Sequence, residues 1–255
     1  VAALCGGIGA LSLSSGQSAT TLAVLNIAKA GDNIVAASSL YGGTFTLFVH
    51  TFAKMGIEAR LADPDKIDEM EALIDANTKA MFVEIIGNPL GNIPDVSALA
   101  QVAHAHNIPL IVDNTFASPY LCRPIEFGAD IVVHSATKFL GGHGTSMGGI
   151  IVDSGKFDWE KSGRFDCLVK PDPSYHDMKF VETFGPSAYI VKARVQLLRD
   201  IGCCLSPANA FLIINGIETL SLRMQKHTKN AQAIAEYLEG HKDVAWVNYP
   251  GLKSN

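Results

Sequence analysis

The stretches PLIVDNT (residues 109–115) and IVVHSATK (residues 131–138) decide the fold of this chain. In each stretch a short apolar run typical of a buried strand ends in polar residues. In an α/β protein the carboxyl ends of parallel strands face the ligand crevice. Asp113 and Lys138, which lies 25 positions further along the chain, are therefore predicted to share one site.

The chemistry of this pair suits one cofactor, pyridoxal phosphate (PLP). The amine of Lys138 can form an imine with the cofactor's aldehyde, and the carboxylate of Asp113 can keep the pyridine nitrogen protonated. A protonated ring accepts electrons from a substrate carbanion. The hydroxyls of Ser135 and Thr137 beside the lysine add to this match.

Composition excludes several other classes of protein. The chain has 255 residues, 48% of them hydrophobic, and a net charge of −5 with acidic and basic residues interspersed. Nothing here favours nucleic acid or an anionic membrane surface as a partner. No apolar run approaches the length of a membrane span of about 20 residues. Five cysteines without CxxC spacing are typical of a reduced, cytoplasmic protein.

The first 153 residues alternate between patterns typical of strands and of helices. Alternation of this kind predicts βαβ units and a mainly parallel sheet with helices on its faces, an α/β fold. The predicted helices are residues 16–30, 44–54, 65–75 and 95–106, and the predicted strands are residues 33–37, 57–61, 80–86, 110–112, 131–133 and 149–152.

Beyond residue 153 the pattern changes. We interpret residues 154–184 as a connecting surface loop, followed by helices that open at Pro186 and Ser206. Residues 220–238 carry the apolar stripe of one long helix, on which His227 is interpreted as a packed residue rather than a catalyst. Residues 244–249 are typical of a strand, but no later segment can pair with it. We therefore expect that the chain belongs to a longer polypeptide.

Three more groups of polar residues follow strand-like segments. We call each group of polar residues at a strand end a station. Ser15, Gly16 and Gln17 come just before the first helix, where free backbone amides can bind a phosphate, although an ordinary serine cap is the favoured explanation of this stretch taken alone. Tyr41 can stack on a planar cofactor, or simply belong to a Gly-rich turn. Asn88 precedes a proline and can mark a turn. The repeated placement of polar residues at strand ends favours one shared site.

A rival motif points to a hydrolase. Residues 144–148 match the G-x-S-x-G nucleophile elbow, with His143 beside it. That motif requires a strand before it and a helix after it, whereas here a predicted strand follows. We reject the match. Neither the histidines nor the cysteines have the usual spacing of a zinc site.

Five motifs, SSGQSAT, YGGT, GNP, VDNTF and HSATK, occur in this order and resemble the Cys/Met-metabolism family of PLP-dependent enzymes. Residues 138–149 and 153–159 are most similar to its O-acetylhomoserine sulfhydrylase branch. The resemblance implies γ-replacement: acetate leaves O-acetylhomoserine and sulfide adds, giving homocysteine. Cystathionine γ-synthase, methionine γ-lyase and a cofactor-binding module without turnover remain as alternatives.

The resemblance also implies a role for each station. Lys138 would carry the imine and shuttle protons, Asp113 would pair with the pyridinium, and Tyr41 would stack on the ring and assist proton transfer. Asn88 would approach the ring hydroxyl. The remaining residues would bind the cofactor's phosphate end: Ser15, Gly16, Gln17, Ser135 and Thr137.

The implied architecture is that of fold-type I, aspartate-aminotransferase-like enzymes. Residues 1–184 would form the large PLP-binding domain, and residues 185–255 the linking helices and the start of a smaller α+β domain. The resemblance further implies a homotetramer, a dimer of dimers with shared active sites. The family's substrate-carboxylate arginine would lie beyond residue 255. One departure is Cys5, where the family usually has glutamate.

Overall fold

The computed structural model describes residues 1–254, which form one seven-stranded sheet flanked by helices. The strand order is β1-β7-β6-β5-β4-β2-β3. Strands β2 to β6 pair in parallel, whereas β7 is antiparallel to both β6 and β1. The strands are β1 (Gly9–Leu13), β2 (Asn33–Ala37), β3 (Glu58–Ala62), β4 (Thr78–Glu84), β5 (Leu110–Asp113), β6 (Ile131–Ser135) and β7 (Gly149–Asp153).

Thirteen α-helical segments occur within the described residues, and most connect or flank the strands. They are α1 (Ala2–Cys5), α2 (Gly16–Leu25), α3 (Gly42–Thr46), α4 (Ile67–Ala72), α5 (Val96–Ala105), α6 (Ser118–Leu121), α7 (Trp159–Ser162), α8 (Asp166–Val169), α9 (Phe180–Phe184), α10 (Ala188–Lys192), α11 (Arg199–Ile201), α12 (Pro207–Glu218) and α13 (Leu220–Glu239). Helices α3 and α10 continue into π-helical turns at Leu47–Phe52 and Ala193–Leu198. None of these helices is both long and apolar enough to cross a membrane.

The predicted mainly parallel sheet is confirmed, and its sequence explains its burial. Every residue of β2 is buried, as is nearly all of β4, because helices cover both faces of the sheet. One aromatic cluster anchors the helical layer. The Phe48 ring lies edge-on to Phe82, with ring centroids 5.0 Å apart, and packs 5.5 Å from Phe52.

The interpretation of residues 154–184 as a surface loop is wrong. This region contains α7, α8 and α9, and three of its aromatic side chains, Trp159, Phe165 and Phe180, are buried. Trp159 stacks on Tyr189 at 5.2 Å between ring centroids, and Phe165 meets Trp159 edge-on at 5.0 Å. Tyr189 then donates a hydrogen bond of 2.8 Å to the carbonyl of Ala23 in α2. Aromatic burial of this size holds the segment against the sheet layer.

The C-terminal region agrees with prediction only in part. Ser206 caps α12, and α13 spans the predicted long helix. Residues 244–249 form no strand, because no segment among residues 1–254 pairs with them, and Trp246 is exposed. The apolar stripe of α13 is also only partly covered, since Ile234 is exposed while Met224 is buried.

Strand register places the polar residues together. Glu84, the last residue of β4, pairs with Asp113, the last residue of β5, which in turn lies beside Val133 of β6. The carboxyl ends of neighbouring parallel strands thus share one edge of the sheet. This edge also receives the amino end of α2, which packs on β6 and β7.

Candidate active site

A cavity of about 640 Å³ lies at this edge of the sheet. All nine site residues predicted from the sequence line it, contributed by five separate parts of the chain. They are Ser15, Gly16, Gln17, Tyr41, Asn88, Asp113, Ser135, Thr137 and Lys138. The structure brings every predicted station to one cavity, while the role of each remains a prediction.

Asp113 is the acid at the end of β5. Burial raises the pKa of its carboxyl to about 6, and hydrogen bonds from Thr115 partly oppose that rise. The backbone N–H of Thr115 donates to Asp113 Oδ1 at 2.9 Å, and the Thr115 hydroxyl donates to the same oxygen. Thr115 Oγ1 in turn accepts from the backbone N–H of Ser135 at 2.8 Å. One threonine therefore connects the acid to the end of β6.

Lys138 follows β6 in a tight turn. Its backbone N–H donates to the carbonyl of Ser135 at 3.1 Å, and its carbonyl accepts from Gly142 at 2.7 Å. The lysine side chain is exposed and lines the cavity. A primary amine is thus presented to the space that Asp113 also borders.

The amino end of α2 forms another wall of the cavity. Ser15 caps this ten-residue helix by accepting a 3.0 Å hydrogen bond from the N–H of Ser18. The remaining first-turn amides have no intrahelical acceptor, which makes a helix start favourable for an anion. Close approach demands glycine here, because a Cβ on Gly16 would lie 2.6 Å from Ser135 Cβ. Gly149 of β7 is similarly restricted by the Ser15 carbonyl.

Thr137 has a structural contact that the sequence did not predict. Its hydroxyl donates to the carbonyl of Gly148 at 3.3 Å and accepts from the Gly148 N–H at 3.1 Å. These bonds close the glycine-rich loop of residues 141–148 against the end of β6. The predicted phosphate contact of this hydroxyl therefore competes with a contact inside the protein.

Tyr41 stands at the start of α3 with half of its surface exposed, at 50%. Its backbone N–H donates to Glu84 Oε1 at 2.7 Å. Gln17 Nε2 donates to the Thr44 hydroxyl at 3.1 Å and so links α2 to α3. The aromatic ring and the helix start are thereby held on one wall of the cavity.

Sequence reasoning missed several residues of the cavity wall. Besides Glu84 and Thr115, they include Thr44, Ile86, Phe116, Phe139, Met147 and His227. A signal for Glu84 existed, since it ends a strand just as Asp113 does. Thr115 gave a weaker one, lying two residues after the predicted acid.

His227 corrects one interpretation. We expected a packed histidine, but the residue is exposed, lines the cavity and lies 5.5 Å from the Phe139 ring between centroids. The apolar stripe of α13 enters the core at Leu220 and Met224, but His227 of the same stripe faces the cavity, so helical spacing alone misled the assignment.

Two other chemistries find little support in the geometry. No group of three or more metal-ligating side chains is placed to hold an ion within residues 1–254. Ser146 lies in a loop that leads directly into β7, so the strand-to-helix elbow of a hydrolase is absent from this part of the described chain.

The fold and the cavity define a class: an α/β enzyme with a lysine-centred site at the carboxyl ends of its strands. A profile of the Cys/Met metabolism PLP-dependent enzymes matches residues 1–255, and the chain belongs to that family. The predicted family, fold and cofactor class are thereby confirmed.

Relatives with established names agree with this assignment. The chain is 54% identical over 257 residues to a homocysteine synthase of Schizosaccharomyces pombe, with 100% of this chain and 60% of the relative covered. An O-acetyl-L-homoserine sulfhydrylase of Leptospira meyeri is 51% identical, with 100% and 59% covered. The chain therefore spans about 60% of the length of these curated relatives.

A solved structure is also similar. It is described as a putative O-acetylhomoserine (thiol)-lyase from Campylobacter jejuni carrying N'-pyridoxyl-lysine-5'-monophosphate. Its TM-score is 0.96 at 39% identity, covering 100% of this chain and 63% of that one. The agreement extends over the whole sheet and its helices.

Proposed function

We propose that the protein carries out PLP-dependent γ-replacement on O-acetyl-L-homoserine, with sulfide as the incoming nucleophile and homocysteine and acetate as products. The observation that carries this proposal is the convergence of Lys138, Asp113 and the amino end of α2 on one cavity. Names of relatives at 51–54% identity supply the substrate.

The residues of the cavity fit the cofactor. Lys138 offers an amine for its aldehyde, Asp113 a half-buried carboxyl for its ring nitrogen, and the start of α2 a set of free amides for its phosphate. Gly16 lets the start of α2 approach Ser135 closely, which brings these amides near the Ser135 hydroxyl. When bound, PLP supplies an electron-accepting ring that stabilises negative charge on a substrate carbon.

The chain's own groups would then divide the work. The Lys138 amine would attach the cofactor covalently, remove the substrate's α-proton and return protons later. Asp113 would hold the proton at the ring nitrogen, since a negative charge beside a cation stabilises it. Tyr41 would cover one side of the ring and limit access of water. Loss of acetate and addition of hydrosulfide at the γ-carbon balance the reaction.

Assembly, domain division and compartment belong to the same proposal. We propose a homotetramer, with residues 1–184 as the large domain and residues 185–255 as the start of a smaller one. An amino-acid substrate and sulfide fit the family. All five cysteines are free thiols, which supports a reducing, cytoplasmic location.

Borohydride reduction of the protein incubated with PLP tests the proposal. Peptide mass spectrometry should find the pyridoxyl label on Lys138, and Lys138→Ala should lose both the label and turnover, by at least roughly 10²-fold. Lys66→Ala is the matched control, because that exposed lysine pairs only with Glu69 at the surface.

The acceptor identifies the branch of the family. Sulfide should outperform cysteine and water with O-acetylhomoserine. Preference for cysteine would indicate a cystathionine γ-synthase, and elimination from methionine a γ-lyase. A label on Lys138 with no half-reaction on any amino acid would indicate a binding module, and an unlabelled, folded protein would refute the cofactor site itself.

A further inference from the structure

Glu84 is a buried acid that has no role in the proposed chemistry. It ends β4, is 7% exposed and lines the cavity. No lysine, arginine or histidine forms an ion pair with it among the described residues. A buried carboxyl without a cationic partner is costly unless its oxygens are hydrogen-bonded or protonated.

Backbone amides supply its partners. The N–H of Tyr41 donates to Glu84 Oε1 at 2.7 Å, and the backbone of Asn88 provides a second hydrogen bond. Tyr41 and Asn88 are the two residues predicted to reach the cofactor ring from this side of the sheet. The backbone of each of these two residues is therefore hydrogen-bonded to the same carboxyl.

The position of Glu84 beside Asp113 adds an electrostatic consequence. The two acids are register partners on neighbouring parallel strands, which lie about 4.8 Å apart. Burial first, and then the charge of Asp113, raise the pKa of Glu84 to about 8. At neutral pH Glu84 is thus mostly protonated, and only one of the pair carries charge.

We propose that Glu84 is a positioning residue: its carboxyl fixes the backbone from which Tyr41 and Asn88 reach the cofactor, and its proton leaves Asp113 as the sole charged acid of the pair. This inference rests on the proposed function, because the site must hold PLP for the positioning to matter.

Two variants separate the two parts of the inference. Glu84→Ala removes the carboxyl to which both backbone amides donate, whereas Glu84→Gln keeps an accepting oxygen but cannot ionise. Glu126→Gln is the control, since that exposed acid pairs only with Arg123 at the surface. All are measured as PLP-loaded protein, by the dissociation constant of PLP and by the circular dichroism of the bound cofactor.

Glu84→Ala should bind PLP about tenfold more weakly, corresponding to about 1.4 kcal/mol, and should lose most of the cofactor's dichroic signal. At pH 7, Glu84→Gln should restore both the PLP affinity and the dichroic signal to within about threefold of the wild type. The reason is that glutamine keeps an oxygen that accepts a backbone hydrogen bond, whereas alanine does not. The titratable groups that share the cavity wall are Tyr41, Asp113, Lys138 and His227. Between pH 7 and 9 the wild-type dichroic signal should change more than that of Glu84→Gln.

Unchanged binding and dichroism in Glu84→Ala would overturn the positioning role. If Glu84→Ala does not fold, the pH series of Glu84→Gln decides, and identical series for it and the wild type would overturn the protonation role. Failure of the wild-type protein to take up PLP would instead defeat the proposed function, and the inference with it.

Discussion

Gly43→Ala is the most direct perturbation of the Tyr41 ring. A Cβ at Gly43 would lie 2.5 Å from Tyr41 Cε1, with Cδ1 at 3.2 Å and Cζ at 3.3 Å. The ring must therefore move. Because half of it is exposed, it has room to swing aside without disturbing the core. The preceding residue, Gly42, provides the matched control, since a Cβ there would meet nothing within 4 Å.

The magnitude follows from opposing effects. Alanine in place of glycine stabilises a helical position by about 0.5–1 kcal/mol, and both residues lie in α3. We expect Gly42→Ala to be neutral or slightly stabilising. Gly43→Ala should change the free energy of unfolding by less than about 1 kcal/mol but lose ring stacking, which is worth roughly 0.5–1.5 kcal/mol. That loss predicts PLP binding weakened by about 2- to 12-fold.

Fluorescence or absorbance titration with PLP measures the affinity, and chemical denaturation of the cofactor-free proteins measures stability. The reasoning requires Gly43→Ala to bind less tightly than Gly42→Ala at similar stability. Equal affinities of the two variants would refute a stacking role for the Tyr41 ring in the position that the structure gives it.

Two other perturbations test the acids. Thr115→Val removes the hydroxyl between Asp113 and the end of β6, and should destabilise the protein by about 1–3 kcal/mol while raising the pKa of Asp113 further. Thr115→Ser should restore both the stability of the protein and the pKa of Asp113, as followed by denaturation over a series of pH values. The raised pKa of Glu84, about 8 against 4.5, means that its contribution to stability is complete below about pH 4.5 and is lost as pH rises through 8. Across that range it amounts to roughly 5 kcal/mol, so the unfolding free energy of Glu84→Gln should fall less steeply with pH than that of the wild type, and parallel curves would contradict the assignment.

The sheet edge was predictable because its strands carry unambiguous patterns. The apolar runs of β5 and β6 each end at a polar residue with little freedom in register, so Asp113 and Ser135 had to emerge at the same edge. The order of the chemistry-bearing residues along the chain then followed the order of the strands. Local spacing is enough for this step, since it needs no knowledge of distant contacts.

The missed features depend on contacts between distant segments. Strand β1 shows only a short alternation, with Leu11 and Leu13 buried around an exposed Ser12, and its partner β7 lies over 130 positions away. Likewise, Trp159 of α7 is buried where Tyr189, which lies 30 positions further along the chain, stacks on it. His227 lines the cavity because of where α13 packs, which periodicity cannot predict.

The hydrogen bonds that connect the stations determine how the site is arranged more than the stations themselves do. Thr115 links Asp113 to β6, and the Glu84 carboxyl links β4 to the start of α3. Each link joins a strand end to the segment that bears another predicted cofactor contact, so the site is arranged by short polar bridges across the sheet edge. Because Glu84 is buried and Asp113 and Thr115 are half-buried, these bridges are worth more than the same contacts at a fully exposed surface. Loss of a bridging residue that never touches the cofactor should therefore disturb the site almost as much as loss of one that does.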